Sequence, residues 1–402
     1  MRNRPVLAVA AAGLLGLGAL GGCHSASHDD PQTAAAAPTS SDAAALPDGS
    51  AAPSASAAPS ASAGATPTPS KPVAPKLLPK PGNPAGHAAI PAAARAADTG
   101  HPTRTIGNGT AASCTSAAVV KAVAAGGIIT FDCGPVPVTI TMSATAKVHN
   151  RTTPVVLDGG GRVTLSGGGK RRIIYMDGCD PSLGPSTSRC VDQDWPRLTI
   201  QNMAFTRGNS IGQQNDDTYP GGGGAIFARG GHIKVINSRF TDNRCDSTGP
   251  DLGGAAMRVL EQGGDDPVYI VGSTFTGGSC TNGSALSSIQ VSWTVLNSVF
   301  SGNTAIGRGA NPARAGTPGG GNGGAIYLDG DNFKLVLDGT LMEKNHANEG
   351  GGAIFFVSND RTGTLTIRNS TLRRNPSDGF ETFKGVFYLG NGNPSISGSK
   401  VS

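Results

Sequence analysis

The sequence predicts an all-β fold, a parallel β-helix, from two motifs that alternate along its last three quarters. One motif is an aliphatic strand, a small polar corner and a large apolar residue, and the other is a glycine-rich corner leading into a strand. No helical period lies between the copies. The first motif occurs at 198–205, 235–240, 269–275, 295–300, 336–341 and 366–372. The second occurs at 223–227, 253–257, 283–287, 323–327, 351–355 and, more weakly, 384–388.

Units of this size are too small to close a hydrophobic core alone. Large apolar residues at 205, 240, 275, 300, 341 and 372 recur every 25 to 41 residues. Stacking lets each coil bury its apolar side against the next, and an insertion such as 306–320 can loop out at a corner. Asparagines at equivalent corners are expected to stack as hydrogen-bonded ladders. These asparagines are Asn237, Asn297 and Asn369, and Asn243, Asn303 and Asn375.

The repeats also resemble a known fold. Residues 105–402 resemble the right-handed parallel β-helix, pectate-lyase-like superfamily, and the resemblance implies a right-handed coil. The Gly-Gly-Ala-Ile and Phe-x-x-Asn pieces are similar to the repeats of polymorphic outer-membrane adhesins. Such motifs specify a fold far better than an activity.

The N-terminus predicts an exported, membrane-anchored protein. Residues 1–22 combine a positive start with an apolar stretch that is short for a membrane span, and we interpret them as a signal peptide. Leu20-Gly21-Gly22-Cys23 resembles the bacterial lipobox, which implies a lipid on Cys23 and a membrane as partner. The alternative is a plain secretory signal followed by a chance cysteine.

Residues 23–104 are predicted to form a disordered tether. Ala, Pro and Ser dominate, and Phe, Tyr and Trp are missing, so this stretch cannot bury enough apolar surface to order itself. A low-complexity segment without a length requirement is the alternative. The folded domain is therefore predicted at 105–402. The net charge of +5 is scattered, without the basic and aromatic clusters of a nucleic-acid surface.

A short helix at about 113–127 is predicted to cover the first coil. Ser113-Cys114-Thr115 can cap it, Val119, Val120 and Val123 give it an apolar side, and Gly126-Gly127 ends it. An open sheet edge needs such a cover.

The cysteine count fits an exported chain with disulfides. Removing Cys23 from the seven cysteines leaves an even set of six. Six cysteines allow fifteen pairings. We favour pairing between sequence neighbours: Cys114 with Cys133, Cys179 with Cys190, and Cys245 with Cys280.

Residues for carbohydrate chemistry are present but form no recognisable motif. A lyase similar to pectate lyases needs carboxylates that hold Ca²⁺ and an Arg or Lys as base. The candidates are Asp217, Arg229, Arg258 and Asp329, with further acidic residues at 216, 265, 266 and 331 and with Lys334. The alternative is that each aspartate satisfies the backbone of a glycine-rich turn. His149, His232 and His346 lack the spacing of a zinc site, so no metal is predicted.

Aligning the second motif suggests one aliphatic and one mostly aromatic column. Ile226, Ala256, Leu286, Ile326, Ile354 and Val386 form the first column; Phe227, Met257, Ser287, Tyr327, Phe355 and Phe387 form the second. Adjacent strand residues face opposite ways. If the aliphatic column is the core, Phe227, Tyr327 and Phe355 form an exposed ladder that can stack on sugars. If the aromatic column is the core, nothing functional follows.

The leading hypothesis is a surface lipoprotein that presents a rigid β-helix for glycan or protein binding, adhesion or envelope architecture, without catalysis or a cofactor. The second hypothesis is a tethered polysaccharide lyase or glycoside hydrolase, with Ca²⁺ if it is a lyase. A groove that contains clustered carboxylates and a base distinguishes the two. The sequence leaves the ligand and the oligomeric state open.

Overall fold

The fold is a stack of parallel β-coils, as predicted. A computed structural model describes residues 77–213, 221–264 and 266–402. Within these residues thirty strands form four sheets, and all the strand pairs are parallel. Each complete coil passes from the first sheet to the second and then to the third, and three coils add a two-residue strand of a short sheet. The handedness of the coil stays a prediction.

Each sheet contains one strand from each coil that contributes to it, and its strands stack in chain order. The first sheet comprises Arg104–Gly107, Gly127–Asp132, Val155–Asp158, Arg197–Gln201, His232–Ile236, Val268–Val271, Trp293–Leu296, Lys334–Asp338, Thr364–Arg368 and Ser395–Ser397. The second sheet comprises Val138–Thr141, Val163–Ser166, Ala204–Thr206, Arg239–Thr241, Thr274–Thr276, Val299–Ser301, Leu341–Glu343, Thr371–Arg373 and Lys400–Val401. The third sheet comprises Ala146–Val148, Ile174–Asp177, Ile226–Arg229, Met257–Leu260, Leu286–Ile289, Ile326–Gly330, Ile354–Ser358 and Val386–Leu389. The short sheet comprises Ser279–Cys280, Thr304–Ala305 and His346–Ala347.

The core is a column of residues that repeat once per coil. Four buried phenylalanines of the second sheet stack with ring centroids 4.8 to 4.9 Å apart: Phe205, Phe240, Phe275 and Phe300. This spacing equals the distance between neighbouring strands, so the rings stack because the coils do. The next residue in the column is Met342, because Phe300 pairs with Met342. The prediction of Leu341 was therefore wrong by one residue.

The corners between the first and second sheets explain the asparagines. Asn202, Asn237, Asn297 and Asn369 adopt φ between 47° and 53°, and Gly272 and Gly339 take the same place in other coils. Asparagine and glycine tolerate this left-handed conformation best. After Gly272, Asn297, Gly339 and Asn369 the next residue is a buried Ser or Thr. Its hydroxyl accepts a backbone N–H of the preceding coil, as Ser273 does from Ser238 at 3.1 Å.

A buried asparagine ladder runs beyond the second sheet. Asn303 donates from Nδ2 to Oδ1 of Asn345 at 2.8 Å, and Asn345 donates to Asn375 at 2.9 Å. Asn243 occupies the same corner farther back and accepts the backbone N–H of Gly208 at 2.8 Å. The ladder was predicted from Asn243, Asn303 and Asn375, and the structure adds Asn345.

The α-helix Ser116–Ala125 lies at the N-terminal end of the stack. Thr115 accepts the backbone N–H of Ala118 at 3.2 Å, and Gly126 ends the helix with φ of 71°. Val119 and Val123 are buried in the core, and the helix packs against Ala146–Val148, the end strand of the third sheet. In the described part of the chain no helix combines the length and apolarity that crossing a bilayer requires.

Residues 77–103, which were predicted to belong to the tether, lie along the β-helix; we call them the strap. Ala94 is fully buried against Ile236, Val271 and Leu296 on the outward side of the first sheet. The amide of Asn297 accepts the backbone N–H of Ala88 at 2.7 Å and donates to its carbonyl oxygen at 2.9 Å. The strap is ordered because it packs against the apolar surface of the stack and hydrogen-bonds to the polar groups of the stack. It does not form a core of its own.

Farther along, the strap follows the first sheet back to the N-terminal coils. Gln201 accepts the backbone N–H of Ala97 at 2.9 Å, and Thr99 donates to Asp158 at 2.9 Å. The strap therefore covers one outward column of the first sheet. The signal peptide, Cys23 and the tether up to residue 76 lie outside the described residues.

Candidate functional site

The outward side of the third sheet holds most of the predicted site residues. Strand pairing places in one outward column Tyr175, Phe227, Arg258, Ser287, Tyr327, Phe355 and Phe387. Ile226 pairs with Met257, so Met257 belongs to the core column and Arg258 to the outward one. The predicted placement of Ala256 and Met257 was wrong by one residue. The reason is that Gly254, with φ of 74°, and not Gly253, forms the left-handed corner.

Phe227 and Arg229 lie in a closed cluster. Arg229 donates from Nε to Oδ1 of Asp177 at 2.8 Å, and the Tyr175 hydroxyl donates to Oδ2 of the same carboxylate at 3.0 Å. Phe227 stacks on Tyr175 at 5.5 Å and packs against Leu183. Burial raises the pKa of Tyr175, which keeps the hydroxyl protonated and able to donate. Arg229 is thus engaged in a buried ion pair.

Arg258 lies at the centre of a second cluster. Its side chain is buried and donates to Ser287 Oγ and to the backbone carbonyl oxygen of Asp251. Burial lowers its pKa to about 10. The carboxylates of Asp251 and Asp329 and the hydroxyl of Tyr327 are close enough to oppose that shift electrostatically. Arg258 and Asp329, which the lyase or hydrolase hypothesis places in one cleft with Asp217 and Arg229, therefore lie in one cluster.

Asp329 is enclosed by hydrogen-bond donors. Its Oδ2 accepts the Tyr327 hydroxyl at 3.0 Å and the Asn311 amide at 2.9 Å, and its Oδ1 accepts the Asn359 amide at 3.1 Å. Burial is the largest cause that raises the pKa of Asp329, and it raises the pKa of Tyr327 well above its usual value. Asn311 belongs to the insertion 306–320. This insertion folds over the cluster instead of projecting away from it.

The aromatic column matches neither predicted alternative. The aliphatic column is the core, so Phe227, Tyr327 and Phe355 face outward, yet their exposed fractions are 0%, 0% and 1%. Tyr327 stacks on Phe355 at 5.2 Å, and Phe380 meets the Phe355 ring edge-on at 6.4 Å. Corner segments cover the rings. The exposure that sugar stacking requires is missing at these three residues.

The remaining candidates are dispersed or undescribed. Asp217 lies outside the described residues, as do Asp216 and Asp265. Asp331 accepts a hydrogen bond from Gln290, and Lys334 begins a strand of the first sheet. In residues 77–213, 221–264 and 266–402 no three His, Cys, Asp or Glu side chains are grouped closely enough to hold a metal ion.

The three disulfides join the cysteine pairs that are neighbours in the sequence, as predicted. Cys114 bonds Cys133 next to the α-helix. The other two bonds fix corner segments beside the third sheet. They are Cys179 with Cys190 and Cys245 with Cys280.

The outward side of the first sheet contains two adjoining clefts that sequence reasoning missed. The larger, of about 390 Å³, is lined by Ala93 of the strap, Arg197, His232, Lys234 and Tyr269, together with Thr199, Asp266 and Pro267. The smaller, of about 300 Å³, shares Pro267 and adds Ser292, Thr294, Lys334 and Val336. The alternation of these residues with the core residues of each strand was a usable signal. That alternation indicates which residues face outward, but it gives no indication of the cleft wall, because the strap forms that wall.

The structure thus defines a parallel β-helix in which corner segments cover Phe227, Tyr327 and Phe355 on the third sheet, whereas the first-sheet face is partly open. Residues 297–329 match the family model described as the Chlamydia polymorphic membrane protein repeat. This match confirms that the repeats are similar to those of the polymorphic membrane proteins. No curated protein and no solved structure matches the chain.

Proposed function

We propose that this chain is an exported surface lipoprotein, anchored through Cys23, whose β-helix binds a glycan on its lateral face. The observation that carries the proposal is the open, polar part of the first sheet beside the strap. A rigid sheet presents side chains at fixed intervals of about 4.8 Å and loses little entropy on binding. The match to a membrane-protein repeat supports a location at the cell surface.

The enclosure of the acid-base candidates favours binding over catalysis. A general base must reach the proton that it removes. Arg258 is 1% exposed, and Arg229 is held by Asp177. Asp329 is surrounded by donors from Tyr327 and from the insertion. A lyase or hydrolase at the third sheet would require the insertion to move away before a substrate could enter.

The test exposes the purified protein to immobilised neutral and acidic glycans and measures retention. In parallel, absorbance at about 235 nm reports unsaturated products, and a reducing-end assay reports hydrolysis. The proposal predicts retention of at least one glycan without product. Product that disappears in Arg258→Ala would replace the proposal with the lyase hypothesis, and an absence of both retention and product would refute glycan binding.

A further inference from the structure

The larger cleft of the first sheet has the form of a shallow, walled site. The strap at Ala93 forms one wall and Pro267 lies at the other side. The floor comes from one outward column, in which Thr199 pairs with Lys234 and Lys234 pairs with Tyr269. The cleft therefore has a fixed floor.

Tyr269 is the aromatic surface of this cleft. It is half-buried and packs against the apolar cluster of Ala94, Val271 and Leu296, which holds the ring in place from the strap side. The rest of its side chain lines the cleft. A ring held in this way is an apolar platform on which the C–H face of a sugar can stack. Little further side-chain entropy is lost on binding.

Lys234 is held in a defined position at the floor. Its Nζ donates to the carbonyl oxygens of Ala93 at 3.2 Å and of Arg95 at 2.9 Å. An ammonium group has three donors, so these two bonds leave a third for a ligand. Partial burial lowers the pKa of Lys234.

The other charged groups of the cleft include both cations and anions. Arg197 and His232 both contact Asp194, with His232 Nε2 and Asp194 Oδ1 3.1 Å apart. The exposed residue Asp266 also lines the cleft. Hydroxyl groups accept hydrogen bonds from cations and donate them to carboxylates. Arg197 and Lys234 balance the two aspartates in formal charge, so the larger cleft offers a polyanion no net attraction.

From this arrangement we propose that the larger cleft binds a neutral saccharide chain, with Tyr269 as its platform and Lys234, Arg197 and Asp266 as partners of its hydroxyl groups. The inference rests on the proposed function and assigns it a ligand class. The chain would extend along the stack into the smaller cleft. Tyr269, Thr294 and Val336 follow Lys234 in the same column, a span of three strand spacings or about 14 Å.

The experiment is isothermal titration of the purified protein with cellohexaose, maltohexaose, xylohexaose and mannohexaose, and with hexagalacturonate as the acidic probe. Tyr269→Leu keeps an apolar side chain against the strap and removes the ring, and Lys234→Met keeps the stem and removes the donor. Thr366→Ala is the matched control, since Thr366 pairs with Val336 one coil beyond the smaller cleft. Far-UV circular dichroism verifies that each variant is folded.

The expected result is binding of at least one neutral hexasaccharide that weakens about tenfold or more in both cleft variants and stays unchanged in Thr366→Ala. Neutral binding that survives Tyr269→Leu would overturn the assigned site, and binding of hexagalacturonate alone would overturn the ligand class. Both of these outcomes leave the proposed function intact. If none of the five probes binds, the inference fails, and retention in the broader glycan panel then decides whether the proposed function fails with it.

Discussion

The attachment of the strap makes a prediction at Asn297. Asn297→Gly removes the side chain that makes two hydrogen bonds to Ala88, at 2.7 and 2.9 Å, and glycine tolerates the φ of 51° at this corner. Two such bonds contribute about 0.5–1.5 kcal/mol each, so the variant should lose about 1–3 kcal/mol of unfolding free energy through the strap.

The matched control is Asn237→Gly at the equivalent corner. Asn237 has φ of 47° and is exposed, and its amide donates to Asn202 at 3.4 Å rather than to the strap. The same loss of backbone restriction therefore applies to both variants. Urea unfolding followed by far-UV circular dichroism measures each loss, and hydrogen exchange measures protection of the strap. Equal losses within about 0.5 kcal/mol, with unchanged strap protection, would refute the docking of residues 77–103.

Three further predictions concern the core, a disulfide and a partly buried carboxyl group. Phe275→Ala should lower the free energy of unfolding by about 3–5 kcal/mol, because it removes a ring that is stacked on both sides. A loss no larger than that of Phe275→Leu would contradict the stack. Replacing Cys245 and Cys280 by serine should lower the free energy of unfolding by about 2–5 kcal/mol. Peptide mapping of the unreduced parent protein should recover the two cysteines linked, and recovery as free thiols would count against the bond. Because burial raises the folded pKa of Asp329 above the unfolded value of 3.8, its contribution to stability is present at low pH and is lost as the pH rises through the folded pKa. Asp329→Asn should therefore flatten the dependence of the urea midpoint on pH above about pH 4, and an unchanged slope would show that the carboxyl is solvated.

The stack itself was predictable because one physical pattern recurs in every coil. An inward residue such as Phe275 and a left-handed corner such as Asn237 must return at each turn, and both types are visible in the sequence. The registers at Leu341 and Met257 were not predictable in the same way. A run such as Gly253-Gly254 fits the motif in two alignments, and only the backbone conformation selects one.

The strap and the closed clusters could not be predicted because they depend on contacts between distant segments. An Ala-rich and Pro-rich stretch lacks the apolar surface to order alone, yet Ala94 fits against Val271 because it is small. Likewise, the sequence left open whether Phe227 and Tyr327 face inward or outward, and strand pairing places them on the outward side. Alternation within a strand says nothing about a corner segment that covers those rings. The sequence therefore identified these aromatic residues as one column but fixed neither the direction in which they face nor their exposure.

The most direct test is a crystal structure of the purified protein grown with the neutral hexasaccharide that binds best. Glycan binding at the first sheet predicts sugar density across Tyr269 and Lys234, between the strap and Pro267, with the insertion 306–320 still closed over Asp329. Sugar bound instead at the third sheet, with that insertion displaced and Arg258 exposed to it, would contradict this assignment of the binding face.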